Sequence, residues 1–162
     1  MSNPAASTPA LSVSTPAERE IRTERIFNAS RDRVWRAFTD PEILIQWWGR
    51  GNKVVIEKFE HRVGGHWRFV EHHEGGSDGF EGRVREITPQ ERLSQTFEWD
   101  GMPGHVSIDT TEFEDLGDGR TRVVTTTLFF TTEERDGMMQ YGMADGLSQS
   151  YAALDRLLAA QA

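Results

Sequence analysis

The chain has no cysteine, which excludes disulfide staples, thiolate zinc sites and a cysteine nucleophile. That is compatible with a reducing compartment, and the cytoplasm is the default location. Positive charge is also scarce. Eighteen basic side chains face 26 acidic ones, for a formal net charge of -8, and no block of Lys or Arg stands out. Nucleic-acid affinity comes mostly from neutralising phosphates, so nucleic acid is disfavoured as a partner. The same argument disfavours an anionic membrane surface, and no apolar run approaches the length of a membrane span. The N-terminal MSNPAASTPALSVSTPAERE lacks the basic start and apolar run of a secretory signal. Its Ser, Thr, Pro and Ala bias reads as a flexible tail over Met1 to Ala17, with one domain over residues 18–162.

What is present begins with Asn28 to Gly49, NASRDRVWRAFTDPEILIQWWG, which encodes two short helices. Ser30 can cap the first by accepting a hydrogen bond from a first-turn amide. Val34, Trp35 and Phe38 then share a face at helical spacing. Asp40-Pro41 starts the second helix, whose apolar face is Leu44, Trp47 and Trp48. Gly49 to Gly51 stops it. Helices this short are not stable alone and must lie on something large and apolar.

The rest supplies it. Ile21 to Asn28 and Lys53 to Val63 read as strands, the latter with Val55 and Phe59 pointing inward. After the Gly64-Gly65 turn, His66 to Glu71 places Trp67 and Phe69 on one face. Phe80 to Ile87 groups Phe80, Gly82 and Val84, and Leu93 to Trp99 groups Leu93, Gln95, Phe97 and Trp99. His105 to Glu114 and Thr121 to Phe130 form a hairpin around Gly117-Asp118-Gly119. Strands in meander order argue for an antiparallel sheet. Thr131 and Glu134 then make a capping box. Leu147, Tyr151, Leu154 and Leu158 form the stripe of a long last helix. Gly137, Gly142 and Gly146 interrupt its first half, which reads as a break between two helical pieces; small residues there also leave room beneath the helix.

This order resembles the START-like, or SRPBCC, superfamily. Within it, the chain is similar to the family named for the activator of heat-shock-protein-ninety ATPase homologues. The signatures are the helix-pair segment above, VGGHWRF at Val63 to Phe69, FEGRVREITPQERLSQTFEW at Phe80 to Trp99 and MMQYGMADGLSQSYAALDRLL at Met138 to Leu158. The resemblance implies an α+β helix-grip fold. A curved antiparallel sheet wraps the long C-terminal helix, and an apolar cavity lies between them. Eukaryotic co-chaperones of this family carry a further N-terminal domain that binds the chaperone. A short polar tail stands there in this chain, so a chaperone partner is possible but not supported by the tail.

Several residues could carry function. Trp67, Phe69, Phe80, Phe97 and Trp99 lie on matching strand faces, and Trp47-Trp48 could close over them. Burying one large aromatic removes roughly 200 Å² from water, on the order of 5 kcal/mol as an upper bound. A wet pocket lined by several rings is therefore costly: either the rings close on one another or an apolar guest replaces the water. Trp35, Phe38 and Leu154 read as core. Met138, Met139 and Met143 suit an irregular pocket or an irregular core. His61, His66, His72, His73 and His105 show no metal-ligand spacing, and adjacent His72 and His73 point to opposite faces. His66 is the histidine that could stand at a cavity mouth. Glu71, in phase with Trp67 and Phe69, could point inward as an acid or base, but the strand end in water is the preferred place for it. No Ser or Thr lies in a nucleophile elbow.

The sequence thus leads to a single domain that binds a small hydrophobic or amphipathic ligand, lined by Trp48, Trp67, Phe69, Phe97, Trp99, Met143 and Leu147. It names no catalytic residue, metal or cofactor, and the chain is expected to be a monomer or weak homodimer. The alternatives are a polyketide-cyclase-like or hydrolytic enzyme using the same cavity, and a stress-response or chaperone-interaction module with an exposed patch.

Overall fold

A computed structural model describes residues 10–160. The chain runs β1 (Ser12–Ser14), β2 (Glu20–Phe27), α1 (Arg31–Thr39), α2 (Pro41–Leu44), β3 (Lys53–Phe59), β4 (His66–His73), β5 (Gly76–Thr88) and β6 (Arg92–Trp99). Then follow β7 (Val106–Asp115), β8 (Thr121–Leu128), α3 (Thr132–Gln140) and α4 (Met143–Ala160). All eight strands form one antiparallel sheet in the order β1-β2-β8-β7-β6-β5-β4-β3. The sheet curves around α4, the helix-grip arrangement expected from the sequence.

The helix pair forms as its caps dictate. Ser30 Oγ accepts from the Arg33 amide at 3.4 Å, and Asp40 Oδ1 accepts from the Glu42 amide at 3.0 Å at the start of α2. Val34 and Ala37 of α1, Leu44 and Trp47 bury into a core with Phe27, Phe113, Val123, Tyr151, Leu154 and Leu158. Trp47 Nε1 donates to the Ala37 carbonyl at 2.9 Å, so its one polar atom is satisfied inside that core. Arg33 ties α1 to the end of α4 by donating to the Leu158 carbonyl at 2.5 Å. Arg25, buried on β2, pairs with Asp155 of α4 and lies over the Phe27 ring.

Two expectations change. Part of the segment read as a flexible tail, residues 12–14, is a strand paired with β2, and Leu11 packs on the core. Residues 1–9 of that tail lie outside the described residues. On β3, Val54 is buried and Val55 exposed, the reverse of the expected phase. A bulge between Ile56 and Lys58 is the reason. The extra residue lets Val54, Ile56 and Phe59 all lie opposite inward residues of β4, which strict alternation cannot do. The break expected in the last helix is present, with Gly142 at φ 78° separating α3 from α4.

Candidate functional site

Between the sheet and the α3–α4 elbow lies a cavity of about 770 Å³. The buried residues of α4, Ser150, Tyr151, Leu154 and Leu158, lie toward its C-terminal end, while Met143, Gly146 and Leu147 of its first half line the cavity. All seven residues expected to line a ligand site do line this cavity. Trp48 stands edge-on to Phe69 and Phe80, with ring centres 5.2 and 5.4 Å apart. Trp67 leans against Phe69 and Phe97. Trp67 Nε1 is buried without a hydrogen-bond partner, a cost that a well-packed core avoids. Met138 also lines the cavity, whereas Met139 faces solvent.

Glu71 is not at a wet strand end. It is 2% exposed and points inward beside Phe69. Arg50 Nη2 donates to Glu71 Oε1 at 3.0 Å and to Oε2 at 3.1 Å, while Arg50 Nε reaches Oε2 at 3.2 Å. Asn52 Nδ2 donates to Oε2 at 2.7 Å. Arg50 reaches this position because its own backbone adopts φ 58° between Gly49 and Gly51 and because Gly146 of α4 has no side chain. A Cβ at 146 would sit 2.8 Å from Arg50 Cδ. The Arg50 amide also donates to Ser150 Oγ at 3.1 Å, so the loop after α2 is pinned to α4 at the cavity wall. A buried carboxylate this fully paired fits a structural clasp better than a general base.

His66 is not at the mouth either. It shares the outer face of β4 with Arg68, opposite Trp67, and its Nε2 lies 2.7 Å from Glu81 Oε1. Arg68 beside it binds Asp100 and Glu57, which holds the guanidinium pKa above and the Asp100 pKa below their ordinary values. The histidines that line the cavity are His61 and His105. Burial lowers the pKa of His61 and so favours its neutral form, and His105 Nδ1 lies 3.3 Å from Glu134 Oε1. Among the described residues, no group of three or more His, Asp or Glu side chains could hold a metal ion.

The sequence reading missed a polar strip beside the aromatic part of the wall. Ser107, Asp109 and Thr111 of β7 and Thr125 and Thr127 of β8 all line the cavity. Thr127 Oγ1 donates to Asp109 Oδ1 at 2.7 Å, and the Thr111 and Thr125 hydroxyls pair at 2.9 Å. Burial pushes the Asp109 carboxyl up to about 6, against the hydrogen bond from Thr127, which lowers it. The charged form is therefore disfavoured in the folded protein. Below the ordinary value of 3.8 both states keep the proton and nothing is lost. Between 3.8 and about 6 the unfolded state ionises first, so the cost to stability grows across that window and stays constant above it. Burial also raises the pKa of the Tyr151 hydroxyl. A signal for the strip was available: Phe113 is apolar, the Gly117-Asp118-Gly119 turn fixes the hairpin, and a period of two from Phe113 leads inward through 111, 109 and 107.

With this geometry in hand, the likeness to known proteins is specific. The family described as Activator of Hsp90 ATPase homolog 1-like protein matches residues 28–159. The chain belongs to that family. A crystal structure of a Rhodobacter sphaeroides protein shares 28% identity at a TM-score of 0.84, over 93% of this chain and 98% of that one. A solution structure from Arthrobacter aurescens shares 24% identity at a TM-score of 0.82, over 91% of each chain. The AHSA1 protein of Silicibacter pomeroyi shares the fold at 22% identity and a TM-score of 0.72, over 88% of this chain and 99% of that one. No curated protein matches. Membership is consistent with ligand binding or a chaperone-related role. No described helix is long and apolar enough to cross a membrane.

Proposed function

We propose that this protein binds a small amphipathic molecule between its sheet and the α3–α4 elbow, with Trp48, Trp67, Phe69, Phe97, Trp99, Met143 and Leu147 as contact residues. The observation that carries this reading is the cavity itself, about 770 Å³ with an aromatic wall. That is within the usual range for small-molecule sites, which pair a mostly apolar lining with a few placed polar groups. The aromatic side receives the apolar body of the guest, and the β7–β8 strip meets its polar end.

A thermal-shift panel of flavonoids, polycyclic aromatics and long-chain amphiphiles tests it. A guest that binds only the folded state at a hundredfold excess over Kd adds about 2.7 kcal/mol. At least one compound should raise the midpoint and quench tryptophan fluorescence, and Trp48→Ala or Trp99→Ala should weaken both effects. Zinc or ATP raising the midpoint while every apolar compound fails would overturn the reading.

One observation favours a second reading, an enzyme of the polyketide-cyclase type in the same cavity. The Asp109–Thr127 and Thr111–Thr125 pairs supply the inward polar groups that such chemistry needs. Product analysis of any compound found to bind separates the two: an unchanged guest supports binding alone.

A further inference from the structure

The charge on the cavity wall is unbalanced. Glu60, Glu71, Asp78, Asp109, Glu133 and Glu134 line it, and Arg50 is the only arginine or lysine among the lining residues. Arg50 is already engaged by Glu71 through three hydrogen bonds. Of the two lining histidines, His61 is held toward its neutral form by burial and His105 is taken up by Glu134. No lining cation is left free, among the described residues, to receive an anionic guest.

Asp109 stands out among these acids. It lies on an inward position of β7 between Ser107 and Thr111, and one carboxyl oxygen accepts from Thr127. No described cation pairs with it. On the adjacent strand β6, Gln95 pairs with Asp109 and Phe97 with Ser107, so the strip borders the indole and phenyl rings that line the same cavity. The faces of those rings carry the negative end of the aromatic quadrupole and attract cations. The whole molecule carries a net charge of -8, which raises the local concentration of cations and lowers that of anions.

We propose that the occupant of this cavity is a lipophilic organic cation: an apolar, ring-containing body bearing an ammonium group, with Asp109 as its counter-charge. This rests on the binding reading above and narrows it. A carboxylate of the same shape would bring a second uncompensated negative charge beside Asp109, so the site rejects it. A neutral analogue keeps the apolar contacts and loses the ionic one.

The test is a matched series on one scaffold, titrated calorimetrically at pH 7.5 into the full chain: 1-naphthylmethylamine, 1-naphthalenemethanol and 1-naphthoate. The amine should bind at least tenfold tighter than the alcohol, and the naphthoate should give no measurable heat. Asp109→Asn, which keeps an acceptor for Thr127, should bring the amine down to the level of the alcohol and leave the alcohol within about twofold. If that variant does not fold, the wild-type series still decides the matter. Binding of the alcohol or the naphthoate as tightly as the amine overturns the charge inference and leaves the cavity reading standing. So does failure of all three beside a neutral polycyclic compound that binds. Silence of every compound, including the earlier panel, overturns both.

Discussion

Helices α1 and α3 invite a direct comparison. Each has nine residues, and each is capped by a hydroxyl at its N-terminus. α1 buries Val34 and Ala37 and sets Trp35 and Phe38 edge-on against Phe113. α3 buries nothing. Its ties are surface ones: Arg135 donates to the Ala17 carbonyl at 2.9 Å, and Tyr141 at its end is 81% exposed. The reason lies beneath them. α1 packs on the core and reaches the cavity only through Phe38, whereas α3 roofs part of it, with Glu133, Glu134, Gly137 and Met138 facing the space. A helix over a void has no apolar surface to bury against, so its stability must come from its cap, its propensity and whatever fills the space.

The largest expected effect sharpens this contrast through packing. Phe38 touches Trp47, Phe113 and Tyr151, so Phe38→Ala should cost about 3 kcal/mol in urea denaturation. Met139→Ala, on the exposed face of α3, should stay within about 0.5 kcal/mol. Equal losses would show that α3 is part of the cooperative core.

A smaller effect probes the caps. Ser30→Ala should lower global stability by about 1 kcal/mol, the usual worth of an N-cap. Thr131 holds the Glu134 amide at 3.1 Å, a comparable cap, yet Thr131→Ala should leave the urea midpoint nearly unchanged. Its effect should appear instead as faster amide exchange confined to α3, read by hydrogen exchange with mass spectrometry. Slowed exchange in α3 on adding a ligand would tie the same helix to occupancy of the cavity.

The sequence made the filled side of the molecule more legible than the empty side. Caps at Ser30, Asp40 and Thr131 are local signals, and the stripe from Leu147 to Leu158 is periodic, so helices and their buried faces could be read directly. Four of the seven lining residues, Trp67, Phe69, Phe97 and Trp99, followed from strand phase on β4 and β6. Trp48 followed from the helix pair, and Met143 and Leu147 from the helical segments around the glycine break. Readings failed where a partner came from far along the chain or where the phase slipped. Glu71 looked exposed because Arg50 and Asn52, its partners, lie about twenty positions away. Val55 was placed inward because no residue type announces the bulge before Lys58. Asp109 and its Thr neighbours drew no reading beyond strand, because inward polar residues make sense only once a cavity is known to border them. His66 was different: alternation from Trp67 already placed it on the outer face.

The central claim is that the space under the elbow is real and takes a guest, and Leu147 tests it most directly. Leu147 lines the cavity from α4, so Leu147→Trp extends a large ring into the space. Titrating the neutral probe N-phenyl-1-naphthylamine into wild type and variant, with the thermal midpoint recorded for each, gives the answer. The account predicts saturable binding to the wild type, at least tenfold weaker binding to the variant, and a midpoint that does not fall. A solid core there would instead be overpacked, at a cost of about 1–3 kcal/mol. A lowered midpoint, together with no probe binding to the wild type, would contradict the account.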